Sequence, residues 1–148
     1  MRAYVAFRLG GAALALDATR VIAVASSSRI IRVPFARPCV AGVLERHGRL
    51  VPVVDLALVS ALWNELPRGG GDKVVILGVG EIEAGFLASA VEATRAEETT
   101  DAPAGAGAAL SHAREAILCG AVRAGDRAWG LLRIETALAA AGLPAQEN

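Results

Sequence analysis

The sequence contains few aromatic residues, only two cysteines and no excess of charge of either sign. Aromatic residues make up 4% of its 148 residues, and 15 Lys and Arg balance 15 Asp and Glu. A chain without net charge has no overall field that would attract nucleic acid or an anionic membrane surface. These counts disfavour a sequence-independent nucleic-acid binder, and we expect no nucleic-acid partner.

Long apolar runs and dense cysteine spacing are also missing. No apolar stretch reaches the roughly 20 residues that a helix needs to cross a bilayer. A signal peptide is disfavoured because Arg8 interrupts the apolar N-terminal stretch and Asp17 follows where a cleavage region would lie. Cys39 and Cys119 lie too far apart in the chain for the pattern of a secreted disulfide scaffold. We therefore predict a cytoplasmic, reduced protein without membrane insertion, and two buried thiols in apolar strands.

No pattern of residues in the chain indicates catalysis. The run Ser26-Ser27-Ser28 lies outside any nucleophile-elbow motif, and the glycines of residues 69–73 and 78–85 have neither dinucleotide nor phosphate-loop spacing. The residues that could bind zinc lack the local pairs of structural zinc sites: Cys39, His47, His112 and Cys119. We expect no enzyme activity, no metal and no cofactor, and an exposed or groove-lining His47.

Short apolar runs separated by turn signals dominate the sequence and predict an all-β protein with short helices, a barrel or a sandwich. The predicted strands are residues 4–9, 12–16, 21–25, 29–33, 40–44, 50–55, 73–79, 83–91, 117–122 and 127–134. Short helices are predicted at 56–66 and 135–142, the latter within a C-terminal helix and tail over 135–148. The composition of residues 92–115 offers little to a core and predicts a surface loop.

The most informative segment is the predicted hairpin over residues 40–56. It reads Val-Ala-Gly-Val-Leu-Glu-Arg-His-Gly-Arg-Leu-Val-Pro-Val-Val-Asp-Leu, and Gly48 can supply a positive φ in its turn. This segment resembles the central hairpin of the CheW-like chemotaxis coupling family, which reads Gly-Val, then Asn, then Arg-Gly, then Pro-Val-x-Asp-Leu. The flanking strands follow the same family along most of the chain, which predicts one CheW-like domain over residues 1–148.

The resemblance implies two intertwined five-stranded SH3-like β-barrels that share a core and carry no active site. It implies a signalling adaptor that bridges the regulatory domain of a CheA-type histidine kinase and the cytoplasmic tips of chemoreceptors. A second interpretation remains open, in which a CheW-like interaction module is recruited to a different partner in polarity, motility or transcription control. An enzyme is the third and weakest interpretation.

The sequence departs from the family pattern at positions that the resemblance assigns to partner recognition. Glu45 and His47 stand where the family has Asn and Arg, and Ala23 stands where the family has Glu in Val-x-Glu-Val. If the family's Glu and Arg form an ion pair, replacing both, by Ala23 and His47, leaves neither charge without its partner. The predicted partner-binding residues are Val21, Ala23, Val33, Glu45, Arg46, His47, Gly48, Arg49 and Val74.

Charge is distributed unevenly along the chain. Up to Asp55 eight Arg accompany three acidic residues, and from Leu56 onward seven basic residues accompany twelve acidic ones. A basic and an acidic surface on one protein would favour head-to-tail association of copies or association with other proteins, because complementary electrostatic potentials steer binding. Solvated outer faces of strands would give the same counts, so both interpretations stand.

Overall fold

The computed structural model describes residues 1–9, 12–56, 71–99 and 118–143. Within these ranges the chain is mostly β-structure, as the sequence predicts. Its strands are β1 (Arg2–Leu9), β2 (Ala12–Asp17), β3 (Val21–Ser26), β4 (Val40–Arg46), β5 (Arg49–Val54), β6 (Lys73–Val79), β7 (Ile82–Thr99), β8 (Leu118–Ala124) and β9 (Arg127–Leu132). Helix α1 (Ile134–Ala140) follows β9 and confirms the predicted C-terminal helix.

Five strands pair in a closed ring, which we call barrel 1. The order is β1, β2, β9, β8 and β7, and β7 pairs back onto β1. All of these pairings are antiparallel except β2 with β9. Ring closure leaves no open sheet edge among these strands.

A second set of strands, barrel 2, follows the order β3, β6, β7, β5 and β4. The segment after β3 closes this set because Ile31 pairs with Val43 of β4 through two backbone hydrogen bonds of 2.8 Å. Val43 therefore directs its backbone groups away from β5. The residue of β5 opposite Val43 is Pro52. Because Val43 does not accept a hydrogen bond from this residue, the missing N–H of proline costs no strand hydrogen bond there.

The buried side chains form three clusters that match this double-barrel arrangement. One cluster fills barrel 1, with Tyr4, Val122 and Trp129 among its members. Another fills barrel 2, with Val51 and Ile76 among its members. The largest cluster combines strand residues of both barrels with the buried face of α1. Two barrels that share a core, as the resemblance implies, therefore describe the packing.

Strand β7 belongs to both barrels. Its first half pairs with β6 from Ile82 to Ala88, and its second half pairs with β1 from Ser89 to Ala96. The register shifts at the crossing, where Ala90 has a φ of 50°. An irregularity of this kind bends a strand and lets one strand serve two sheets.

The β4–β5 hairpin turns through His47 and Gly48, whose φ values are 51° and 75°. Two consecutive positive φ values are the pattern of a type I′ turn, whose twist matches the flanking strands. The positive φ that the sequence predicts for Gly48 is therefore confirmed. Glycine is also required at position 42, because any other residue would place its Cβ 2.3 Å from the carbonyl oxygen of Ile31.

Three sequence-based expectations are wrong. Residues 29–33 form no strand; they contain the end of a one-turn 3-10 helix (Ser27–Arg29) and the single bridge at Ile31. The predicted loop is a strand from residue 92 to Thr99, because pairing with β1 and β8 supplies hydrogen bonds that the polar composition does not reveal. Of the two thiols only Cys39 is buried, and it precedes β4; Cys119 faces outward from β8.

Two other expectations lie outside the described residues. These are most of the predicted helix over 56–66 and the remainder of the predicted loop, residues 100–115.

Candidate functional site

A pocket of about 260 Å³ opens between β3 and the end of the β4–β5 hairpin. We call it the hairpin pocket, and its lining residues are Ala23, Val24, Ala25, Arg29, Leu44, Glu45, Arg46, His47 and Ile76. The predicted partner-binding residues Ala23, Glu45, Arg46 and His47 therefore meet at one place.

Most charged groups of the hairpin pocket are held by their own chain. The Arg46 guanidinium donates to the Glu83 carboxylate at 2.7 Å, with both side chains largely buried. The Glu45 carboxylate accepts from the backbone N–H of Gly48 at 3.1 Å. Arg29 donates to the backbone carbonyl of Glu45 at 3.2 Å. The pocket thus has a small apolar floor below a rim that carries both signs of charge, with Arg46 paired to Glu83.

The other predicted site residues lie elsewhere. Gly48 and Arg49 are exposed at the hairpin tip, and Val33 is exposed in the segment before β4. Val21 is half-buried against the largest core cluster. The assignment of Val74 to partner contact is wrong, because its side chain points into barrel 2 and is fully buried.

A second concavity, which the sequence does not predict, lies between the two barrels. This inter-barrel groove encloses about 450 Å³ and is lined by Val5, Val24, Asp72, Lys73, Ala90, Val91, Glu92 and Ala93. It forms where β7 crosses from barrel 2 to barrel 1, so strands remote in sequence supply its walls. Val24, an exposed apolar residue of β3, is the local signal that could have indicated it.

Exposed large apolar side chains concentrate between β3 and β5. These side chains are Ile22, Val24, Ile31, Val33, Phe35 and Leu50, and Phe35 is fully exposed. Grouped apolar exposure of this kind marks protein-binding surfaces.

Among the residues that the structure describes, the titratable groups with clearly shifted pKa values lie outside both concavities. Burial raises the pKa of Tyr4, and hydrogen bonds from Thr19 lower the pKa of Asp17. Burial alone would raise the pKa of Glu135, but the hydrogen bonds from Arg20 and from its own backbone N–H, together with the charge of Arg20, outweigh burial and lower that pKa overall. Across the described part of the chain no cluster of three or more His, Cys, Asp or Glu could hold a metal ion.

The seven-residue α1 is far too short to cross a bilayer, and no other helix in the described ranges is long and apolar enough.

Comparisons with known proteins agree with this architecture. The family model described as CheW-like domain matches residues 3–142. The chain is 31% identical over 85 residues to a chemotaxis protein CheW of Thermotoga maritima, an alignment that covers 57% of this chain and 55% of that protein. The matched region therefore spans about half the length of that relative.

A solved structure with a similar fold is the scaffolding protein TtCheW from Thermoanaerobacter tengcongensis. The two structures superpose with a TM-score of 0.70 at 21% identity, over 88% of this chain and 83% of that one. The chain belongs to the CheW-like domain family, whose members are non-catalytic scaffold and adaptor proteins.

Proposed function

We propose that this protein is a cytoplasmic adaptor that couples a CheA-type histidine kinase to chemoreceptors in a chemosensory array. The observation that carries the proposal is the family match over residues 3–142. Such an adaptor works by binding two proteins and needs neither a catalytic group nor a cofactor.

The kinase contact is assigned to the outer face of barrel 2. Ile31, Val43 and Pro52 lie side by side there, and Leu50 follows Pro52 on the same face of β5. We call these four residues the kinase face. Ile31 and Leu50 are more than half exposed, and an apolar face of this kind can pack against a regulatory domain.

The receptor contact is assigned to the inter-barrel groove and the adjoining hairpin pocket, which share Val24. A helical tip would place its apolar side chains in the groove. Ala23 and His47, which replace the family's Glu and Arg, line the same pocket, so both changes alter one contact region. We therefore expect the receptor contact to be the weaker of the two.

Co-sedimentation of the cognate kinase with receptor-containing vesicles tests the coupling. The kinase should sediment with the vesicles only when this protein is present. Leu50→Asp should abolish that recruitment, because it places a carboxylate at the most exposed apolar residue of the kinase face. Glu97→Gln, an exposed change on barrel 1, is the matched control and should recruit normally.

Two results would contradict the coupling proposal. One is equal sedimentation of the kinase with and without this protein. The other is full recruitment by Leu50→Asp, which would remove the kinase face from the contact.

A further inference from the structure

Phe35 is an exposed aromatic residue in a backbone conformation that aromatic residues rarely adopt. Its side chain is fully exposed and its φ is 63°. It follows Pro34 in a turn in which the N–H of Ala36 donates to the carbonyl of Val33 at 3.4 Å. Proline followed by a positive φ is the pattern of a type II turn, which favours glycine or asparagine where Phe35 stands. The turn therefore presents a large apolar side chain to solvent at a cost in backbone strain.

We call residues 32–37 the Phe35 loop, and both of its ends are fixed to the rest of the chain. Just before the loop, Ile31 forms the bridge with Val43 of β4. At the other end the N–H of Val40 donates to the carbonyl of Arg37 at 2.9 Å. The Arg37 side chain also lies so close to Gly142, just after α1, that a Cβ there would collide with it. A loop held in this way loses little conformational entropy when a partner binds, which favours affinity.

The Phe35 loop adjoins the kinase face. Ile31 belongs to that face, and three residues separate it from Phe35. The Cα atoms of these two residues therefore lie at most about 14 Å apart. A standard protein interface buries about 800 Å² of each partner, which corresponds to a patch about 30 Å across. A partner seated on the kinase face can therefore cover Phe35 within the same contact.

The charges around this combined surface are mainly basic. Residues 27–54 contain five arginines and one acidic residue, Glu45, whose carboxylate accepts the hydrogen bond from Gly48. Arg32 and Arg49 are exposed, and within the described part of the chain neither has a carboxylate partner. An aromatic anchor gains most when it is desolvated, and unpaired arginines attract opposite charge. A complementary partner therefore offers an apolar socket for the ring and carboxylates at the edge of that socket.

We propose that Phe35 is an anchor of the kinase contact, and that the cognate CheA-type regulatory domain receives it in an apolar socket edged by carboxylates. The inference rests on the proposed coupling function and adds the chemistry of the partner at that contact. It extends the contact from the outer face of barrel 2 to the segment before β4. Binding explains why the strained turn holds an aromatic ring that its own chain does not bury.

Calorimetric titration of the purified protein with the cognate regulatory domain tests the anchor. Phe35→Asn removes the ring and leaves a residue that suits the turn, so its denaturation midpoint should equal or exceed that of the wild type. Its affinity for the regulatory domain should fall about thirty-fold, as for the loss of an interface hot spot. Its affinity for the cognate receptor tip should not change, because Phe35 lines neither the hairpin pocket nor the inter-barrel groove.

The salt dependence of binding tests the charged edge of the socket. The affinity of the wild type for the regulatory domain should fall as salt is raised, because salt screens exposed charges. Arg32→Gln should bind more weakly than the wild type at low salt and should lose less affinity as salt is raised. Glu97→Gln, the control on barrel 1, should behave like the wild type in both series.

Three results would overturn the proposal. One is equal affinity of Phe35→Asn and the wild type for the regulatory domain; if the wild type but not Phe35→Asn then sediments with phosphatidylglycerol vesicles, the loop binds lipid instead. Another is an affinity of the wild type that does not fall with salt. The third is a loss of affinity of Phe35→Asn for the receptor tip as large as for the regulatory domain. Coupling survives each of these results, whereas a wild type that does not bind the regulatory domain at all contradicts coupling and the anchor together.

Discussion

Gly48 carries the turn of the β4–β5 hairpin through its backbone conformation and not through packing. A Cβ added at Gly48 would meet nothing within 4 Å, but its φ of 75° is unfavourable for a side chain. Gly48→Val should therefore lower the free energy of unfolding by about 1 to 2 kcal/mol. Chemical denaturation measures this change.

His47→Asn is the matched control for that substitution, because asparagine tolerates the left-handed region that His47 occupies. We expect a free energy of unfolding equal to or slightly above that of the wild type. Equal stability of Gly48→Val and the wild type would contradict the turn assignment.

Asp17 makes folding stability depend on pH. The backbone N–H of Thr19 donates to the Asp17 carboxylate at 2.9 Å and the Thr19 hydroxyl donates at 2.8 Å, and these bonds lower the carboxyl pKa from its usual 3.8. A lowered folded-state pKa stabilises the protein fully above the unfolded-state pKa, and that stabilisation is lost as the pH falls through the folded-state value.

The variant Asp17→Asn isolates this effect, because it retains an oxygen acceptor but does not titrate. The difference in free energy of unfolding between wild type and Asp17→Asn should be constant from about pH 5 to 7 and shrink below about pH 4. Urea denaturation at several pH values measures it. A difference that grows in acid would contradict the role of Asp17.

Strand β7 is the element that joins the two barrels. Hydrogen exchange in its second half tests whether residues 92–99 form a strand, as the structure shows, or the loop that the sequence predicts. Amides from Ala93 to Ala96 lie in the pairing with β1. Peptides covering them should be protected in hydrogen exchange about as well as peptides from Val74 to Leu77 of β6. Exchange as fast as that of the exposed segment before β4 would restore the loop interpretation.

The sequence predicts the β4–β5 hairpin correctly but not the second half of β7. The β4–β5 hairpin was predictable because its β-branched runs flank a turn that Gly48 marks directly. In the second half of β7 only Ala96 is buried, so the apolar alternation that identifies a strand is absent there. Pairing with β1 and β8 determines that structure, and pairing partners remote in sequence leave no local pattern.

The hairpin pocket gives a prediction for receptor binding. Ala23 and His47 line this pocket together, so Ala23→Glu combined with His47→Arg introduces a facing acid–base pair that restores the family's residues. Calorimetry should show tighter binding of a typical receptor tip to the double variant than to the wild type, whereas each single variant should gain less. An unchanged or weakened affinity of the double variant would remove the pocket from receptor recognition.

At the level of the whole molecule, the two barrels create surfaces that neither would have alone. The inter-barrel groove draws Val5 from barrel 1 and Val24 from barrel 2, and the β7 crossing forms part of its wall. The resemblance predicted a double barrel and an adaptor, but it placed one partner-binding residue at Val74, which is buried. Side-chain direction along a strand depends on register, which the resemblance did not supply.

Calorimetric titration of the purified protein with a cognate CheA-type regulatory domain tests the adaptor function most directly. We predict measurable binding to the regulatory domain, loss of that binding in Leu50→Asp, and weaker but measurable binding to the cognate receptor tip. Tight binding to the receptor tip with none to the regulatory domain would contradict the assignment of the kinase face. Binding to neither would contradict coupling itself and favour recruitment of this CheW-like module to a different regulatory partner.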